Sequence, residues 1–447
     1  MTATPVTPTT SATTGETAPA AAVTSATAAH TELPGTGAHT ELPGTGGKSP
    51  RTSLPGTGRK GPRTGLLLTV ISICTAITAA NIYLATPLLG LIAKDFGVPS
   101  SSVGWVASVG QLGYAVGLLL FAPLGDTADR RRLVWMLSTV AAVAVAAAGL
   151  MHGTPALAAA VLVACAATVV PQLLVPLVAE RAPAERRGRH VGAVVTGLFA
   201  GSVAARVLGG LAGQAYGWRP VFFGAAVLTL AIGVLTAAVL PPETRPVRRS
   251  RPLKVIAGLP GLMVSSPALR AACVRQAGVF GTWSALWTTL VLLLTDEHGA
   301  YVMSTATAGL FGLFGLTSAA ASPLAGTLID RFGTHRVMAT GYLAAVVSLP
   351  LFWLGGRQLW ALCAGAILLH AGFTAGQVAN QTRALGATST PSAANTAYVV
   401  CSFASGAITS ALAGPAYGHW GWDGVCVIAA VCAVAGWAGG ALVERER

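Results

Sequence analysis

Apolar runs long enough to cross a bilayer succeed one another along most of this chain, parted by short turns that carry Gly, Pro or charge. A span needs about 20 mostly apolar residues, because some 30 Å of hydrocarbon is crossed at 1.5 Å per residue. Cutting the chain at its turns predicts twelve helices, over 66–92, 103–124, 133–151, 156–178, 191–215, 221–240, 272–294, 304–328, 337–354, 359–381, 395–416 and 424–442. The expected fold class is all-α and integral to the membrane.

The pattern repeats. Between spans two and three an apolar helix runs into Pro123-Leu124-Gly125-Asp126 and the basic turn Arg130-Arg131-Arg132. Between spans eight and nine the same order returns as Gly326 to Asp330, Arg331, Phe332, Gly333 and Arg336, with Asp330 lying 204 residues after Asp126. Leu211-Ala212-Gly213-Gln214-Ala215-Tyr216-Gly217 recurs as Leu412-Ala413-Gly414-Pro415-Ala416-Tyr417-Gly418, 201 residues on. Internal repeats of this kind mark many secondary transporters. They predict two pseudo-symmetric six-helix bundles at 64–240 and 271–447, joined by a basic linker at 241–270.

Composition agrees: 53% of residues are hydrophobic and 10% charged, with a mean hydropathy of +0.65, against roughly 25% charge in soluble domains. The net charge of +13 would point to nucleic acid in a soluble protein, but its placement gives it another meaning. With both termini inside, 23 of the 28 Lys and Arg fall on cytoplasmic segments; Lys94, Arg219 and Arg357 fall outside, and Arg206 and Arg275 lie within spans. This is the positive-inside pattern of a plasma-membrane protein, with no nucleic-acid partner expected. The seven cysteines lie in or beside apolar runs without metal or disulfide spacing, and no cofactor is expected.

Residues 1–63 are rich in Thr, Ala, Pro and Gly and cannot bury enough surface to offset ordering entropy, so they are expected to form a disordered cytoplasmic tail. Ala29 to Gly37 repeats directly as Ala38 to Gly46, and Leu54 to Gly58 is a partial third copy. Each copy resembles the Leu-Pro-x-Thr-Gly signal by which sortases anchor proteins to Gram-positive cell walls. That signal belongs near a C-terminus and outside the membrane, so an expanded low-complexity repeat is the simpler reading.

All fifteen Asp and Glu fall in loops, tails or helix ends. The ionisable groups inside the membrane are basic. Arg206 lies about 14 residues into span five, roughly 21 Å deep. Inserting a central Arg costs about 2.5–3.5 kcal/mol on translocon scales, so it should face protein, cavity water or substrate. Binding, gating or coupling is one role for it and bridging to a neighbouring helix is the other. His370, near the middle of span ten, is the one mid-membrane group whose unperturbed pKa, about 6.5, lies near neutrality; it is either a proton stop tuned by Gln377 or a packed neutral ring.

Uncharged polar groups complete the set: Asn81 and Tyr83 in span one, Gln111 in two, Gln172 in four, Gln377 and Asn380 in ten. An unpaired amide is costly in apolar surroundings, so these point into the bundle, to line a cavity or to join helices. Trp283 and Trp287, four apart on one face of span seven, suit a flat ligand or an interfacial anchor. The expected substrate-binding set is therefore Asn81, Tyr83, Gln111, Gln172, Trp283, Trp287, His370 and Gln377. The expected gating and coupling set is Asp126, Arg130, Arg131, Arg206, Asp330 and Arg331. Asp126 and Asp330 are assigned to a cytoplasmic gate, pairing with nearby Arg and accepting backbone N–H groups at a helix start.

The loop between spans two and three resembles that of the major facilitator superfamily, whose pattern is Gly, three residues, Asp-Arg, one residue, Gly-Arg-Arg. The second copy follows it at Gly326, Asp330, Arg331 and Gly333. The first keeps Asp126, Arg130 and Arg131 but has Ala122, Thr127 and Asp129 where the family has Gly, Arg and Gly. Ala80-Asn81-Ile82-Tyr83 with Pro87-Leu88-Leu89, Gln111-Leu112-Gly113-Tyr114, Pro171-Gln172 with Pro176, Glu185-Arg186-Arg187-Gly188 and Gly217-Trp218-Arg219 resemble the bacterial drug and metabolite efflux branch that includes purine ribonucleoside and arabinose exporters. Two departures stand out: span four lacks the arginine of many proton-coupled antiporters, and Ala205-Arg206-Val207-Leu208-Gly209-Gly210 replaces the antiporter Gly-Pro-x-x-Gly-Gly. The resemblance implies a monomeric secondary transporter exporting a small organic molecule by alternating access, with protons as the coupled ion. The rivals are import or facilitated diffusion of a sugar-like solute, and an integral-membrane enzyme, against which the eight histidines are scattered.

Overall fold

The computed structural model describes residues 62–99, 102–126, 128–181, 187–240, 252–388 and 390–445; the expectation of a disordered tail with its repeats lies outside them. Eleven described helices are long and apolar enough to cross a membrane. The last, Ala393–Arg445, has 53 residues and breaks at Gly421, whose φ of 60° and ψ of −152° need a residue without Cβ. It supplies spans eleven and twelve, so the count of twelve holds. The others are span one (Gly65–Tyr83), two (Trp105–Gly125), three (Arg130–Leu150), four (Thr154–Val178), five (Gly192–Tyr216), six (Trp218–Val239), seven (Pro267–Thr295), eight (Thr305–Phe332), nine (Thr334–Leu354) and ten (Leu359–Gly386).

Proline explains where the observed helices depart from the expected ones. Span one, expected to run to residue 92, stops at Tyr83 and resumes through a 3-10 turn, Thr86–Leu88, into a separate helix, Leu89–Phe96. Pro87 has no N–H to continue the ladder and disfavours helical backbone in the residue before it. Span four is likewise two pieces, Thr154–Ala167 and Val170–Arg181, with Pro171 in the first turn of the second. Within the expected linker a helix covers Pro252–Ser265, and Ser266 caps span seven by accepting from the Leu269 N–H at 3.3 Å.

Glycine sets how closely the spans approach. An added Cβ on Gly201 would collide with the Ala76 carbonyl and one on Gly197 with that of Ser72, so span five lies backbone against backbone on span one. Gly113 and Gly117 do the same for span two against Leu162 and Ala166 of span four. The two bundles meet where span two packs on eleven and span five on eight. Span seven is enclosed almost throughout, wrapped by spans ten, eleven and twelve.

The two halves match at one end of the molecule, at and just beyond the sequence echo. Gly217 (φ 82°) and Gly421 (φ 60°) each open a new span and are followed by a buried tryptophan, Trp218 and Trp422. Trp218 donates from Nε1 to Asp95 at 3.2 Å, and Arg219 reaches Asp95 at 2.8 Å and the carbonyls of Gly149 and Met151 at 3.1 and 2.9 Å. Trp422 donates to the Phe352 carbonyl at 2.7 Å, and Asp423 accepts from Trp353 at 2.7 Å. In both halves a Gly-Trp corner ties the loops of one face together.

Gly201→Ala is expected to lower the stability of purified protein by about 1–3 kcal/mol, the usual effect of overpacking. Gly224→Ala, where nothing lies within 4 Å of the new carbon, should leave it unchanged or raise it. Equal melting temperatures for the two variants would refute the close approach of spans one and five.

Candidate functional site

Arg206 sits where spans five and eight cross. A Cβ on Gly309 would come 2.7 Å from the Arg206 carbonyl oxygen and one on Gly312 2.6 Å from the Arg206 Cβ. Glycine on span eight thus lets the backbones touch and directs the arginine side chain away from the crossing into the bundle. Its guanidinium lies over the Tyr83 ring, with Cζ 4.3 Å from the centroid, and beside Trp283 and Trp287 at 5.5 and 5.9 Å. Cation–π contacts of this kind are worth about 2 kcal/mol or more when desolvated. Nη1 donates to the Ser202 carbonyl at 2.8 Å, while Nε has no hydrogen-bond partner. No carboxylate among the described residues pairs with it.

The second embedded arginine is treated differently. Arg275 of span seven is held by Glu444 of span twelve in a bidentate pair at 2.7 and 2.6 Å, and Arg383 of span ten reaches the same carboxylate at 2.6 Å. Gly440 leaves the room in which the Arg275 side chain lies. This arginine is a helix tie.

The aromatic wall around Arg206 comes from both bundles. Trp283 stacks on Trp287 with centroids 6.2 Å apart and planes 7° from parallel, and on Phe373 at 5.9 Å; Tyr83 meets Trp283 edge-on at 6.0 Å. His370 closes the far side, 4.4 Å from Trp287 and nearly perpendicular to it. Trp283 Nε1 can only donate and does so to His370 Nε2 at 3.3 Å, so His370 Nδ1, 2.8 Å from the Ala366 carbonyl, is the nitrogen that carries the proton. His370 is a neutral, fully bonded ring.

Gln111 of span two enters the other bundle. Its amide donates to Ser284 at 2.7 Å and Ser410 at 3.2 Å and accepts from Ser284 at 3.0 Å; Ser410 continues to Thr288 at 3.0 Å. Gly406 on span eleven makes room, since a Cβ there would strike Gln111 and the Phe280 ring. A narrow cleft of about 10 Å³, lined by Tyr83, Gln111, Arg206, Trp283, Trp287 and Thr288, separates the two groups.

The remaining expected residues do not gather here. The Asn81 amide is spent on Thr229 of span six at 2.9 Å. Gln172 donates to the Tyr114 hydroxyl at 3.3 Å, one layer away, where Tyr114 packs on Phe403 at 4.5 Å. Gln377 accepts from Gln276 at 3.3 Å and does not bond His370; the seven residues between them carry it two turns along span ten, to a cluster with Tyr398. Tuning of His370 by Gln377 is therefore replaced by its bonds to Ala366 and Trp283.

The gate assignment also changes. The cap of span three is Asp129, which accepts from the Arg131 N–H at 3.0 Å; the side chain of Asp126 lies outside the described residues. Asp330 stands in the last turn of span eight, where carbonyls and not N–H groups are unsatisfied. It is exposed and pairs with no basic group among the described residues, and Arg331 lies over Phe332 instead, 5.2 Å from its ring. Arg130 is buried and donates from Nε to the Gly125 carbonyl at 2.7 Å, fastening the first loop.

A mid-membrane site shared by two repeated bundles is the architecture of alternating-access transporters, and comparison with known proteins decides the family. The family model described as Major Facilitator Superfamily matches residues 71–281 and 272–447. The chain belongs to the major facilitator superfamily. It is 60% identical over 372 residues to a protein of Streptomyces coelicolor named a probable transporter, covering 83% of this chain and 86% of that one. It is 30% identical over 285 residues to a chloramphenicol resistance protein of Streptomyces lividans, covering 63% and 70%. A crystal structure of a mutant of the nucleoside transporter NupG superimposes with a TM-score of 0.70 at 13% identity, over 84% of this chain and 99% of that one, which shows the common fold. This major facilitator protein is thus a multi-pass membrane transporter.

Sequence reading missed Ser284, Thr288 and Ser410. Hydroxyls in apolar helices commonly bond the carbonyl four residues back, as Thr75, Thr78, Thr229 and Thr289 do here. Ser284, Thr288 and Ser410, which bond across helices, carry no distinguishing mark in the sequence. Phe373 and Phe403 were equally hidden among other apolar residues.

Gln111→Leu should separate transport from stability. Ser284, Thr288 and Ser410 still bond one another, so unfolding is expected to shift by no more than about 1 kcal/mol. Counterflow should fall at least about tenfold, because closure loses its one amide bridge, a change worth about 1.4 kcal/mol. Wild-type counterflow in this variant, measured in proteoliposomes, would show that the bridge has no part in the cycle.

Proposed function

We propose that the protein exports a small organic molecule with a flat apolar or aromatic part across the plasma membrane, as a monomer with both termini cytoplasmic. The observation that carries this reading is the composition of the central site: Tyr83, Gln111 and Arg206 come from the first bundle, Trp283, Trp287 and Ser284 from the second. Rocking of one bundle on the other therefore makes and unmakes the site. The packing of spans five and eight is asymmetric. Spans five and eight touch backbone to backbone from Arg206 to Gly210, whereas a Cβ on Gly192 or Gly326, toward the basic end of the same spans, would meet nothing within 4 Å. The basic end is cytoplasmic by the positive-inside rule, so this close contact runs from the level of Arg206 toward the outer face. Similarity to a chloramphenicol resistance protein and the motifs shared with the drug and metabolite efflux branch favour export.

The reading includes proton exchange through His370. In the neutral ring Nε2 accepts from Trp283; a protonated ring has only donors and sets N–H against N–H. Protonation then drives Trp283 off His370 and disturbs the stack on which Trp287 and Arg206 depend. Substrate and proton would in this way compete through one indole.

Inverted vesicles with a drug-like aromatic substrate test both steps. Counterflow without a gradient is expected in wild type and in His370→Gln. Accumulation driven by an imposed pH gradient is expected in wild type alone. Gradient-driven accumulation retained by His370→Gln would remove the histidine from coupling, and absence of counterflow for every compound tried would sink the transport reading of this site.

A further inference from the structure

The central site holds a buried positive charge that no acid among the described residues neutralises. Two arginines lie inside the membrane, and the protein brings Glu444 down from the end of span twelve to pair one of them, Arg275, in a bidentate contact. Arg206, 7% exposed, receives no carboxylate among the described residues. Its Nη1 bonds the Ser202 carbonyl of its own helix, and its buried Nε bonds nothing. A guanidinium has five donors in a planar fork that matches a carboxylate. The cleft it lines is walled by Tyr83, Trp283 and Trp287, whose ring faces are electron-rich and repel an anion placed directly over them, but whose edges attract it. Once this cleft of about 10 Å³ widens as the bundles part, an acid group beyond the guanidinium, with the ring of the same ligand against the indoles, satisfies these groups together.

We propose that the transported molecule is an organic anion, an aromatic or similarly planar carboxylate whose acid group pairs with Arg206 while its ring lies against Trp283 and Trp287. This rests on the transport reading of the site and narrows it to a charge class. Neutral and cationic aromatics lack the partner that the guanidinium requires, and a cation would add like charge to a site with no acid within reach. Arg206 is then the specificity-determining residue. Gln111, on the other wall of the cleft, spends its amide on Ser284 and Ser410 and does not discriminate charge.

Equilibrium binding to the full-length protein in lipid nanodiscs tests this with matched probes: benzoate and salicylate, their neutral amides benzamide and salicylamide, and benzylamine. The acids are expected to bind at least tenfold more tightly than the amides, and benzylamine to bind most weakly. Arg206→Gln should abolish the difference between acid and amide, and Arg206→Lys should keep part of it, since lysine holds the charge without the fork. The order of the five probes on the wild-type protein decides the matter even where a variant does not fold. Equal binding of acid and amide, a preference for benzylamine, or an acid preference that survives Arg206→Gln in folded protein would overturn the proposal. Counterflow of the same probes separates this from the broader reading: exchange of amides or amines but not acids rejects the anion class and leaves transport standing, whereas no binding and no exchange by any probe rejects both.

Discussion

A guanidinium at membrane depth must be solvated by the protein itself, and the arrangement around Arg206 follows from meeting that demand without an acid. The aromatic faces of Tyr83, Trp283 and Trp287 supply a diffuse negative potential, one carbonyl supplies a hydrogen bond, and the glycines of span eight bring the crossing close enough for all of them to converge. Trp283 can hold its place only while His370 accepts its N–H, and His370 accepts in the tautomer whose Nδ1–H donates to the Ala366 carbonyl. The charge thus extends its influence through span seven into span ten. A carboxylate at the same place would have neutralised it locally and made the ring of contacts unnecessary.

The same reasoning explains why the two bundles meet through polar side chains at one place and through bare backbone at another. Spans five and eight approach on glycine, which gives contact without directional bonds and tolerates a change of angle. Span two meets spans seven and eleven through Gln111, Ser284 and Ser410, whose bonds are short and directional. In a medium without water these groups have no alternative partners, so the contact is either made or broken. A pivot of the first kind beside a latch of the second is what a two-state rocking motion needs.

Much of this was legible in the sequence. Hydropathy located the spans because the bilayer leaves few ways to satisfy a backbone, and the repeat of Leu-Ala-Gly with Tyr-Gly pointed to two halves that now show matching Gly-Trp corners. Arg206, Trp283, Trp287, Tyr83, Gln111 and His370 were singled out and are found together, because each is expensive or unusual at that depth. Asn81 and Gln377 were singled out on the same ground and lie elsewhere: the cost of a buried amide is met equally well by a neighbouring helix, and one sequence does not say which neighbour. The capping expected of the gate acids was misplaced for a different reason. Position beside a basic turn is a statement about sequence distance, whereas capping depends on which residue has extended backbone at the helix start, and that residue is Asp129.

The contrast between the two embedded arginines bears on how such a site can work at all. A pair like Arg275 with Glu444 loses several kcal/mol if either partner leaves, so it is suited to holding spans seven and twelve in one arrangement throughout a cycle. Arg206 has no carboxylate among the described residues to lose. Its contacts with rings are individually weak, non-directional and divided between both bundles, so their sum changes smoothly as the bundles rock and leaves no deep well in either state. A fixed counter-ion on one bundle would keep Arg206 bound to that bundle's geometry in both states and remove its ability to tell a loaded site from an unloaded one. An unpaired cation shared across the interface is therefore the arrangement in which the charge carried by the ligand, rather than by the protein, can bias the conformational equilibrium.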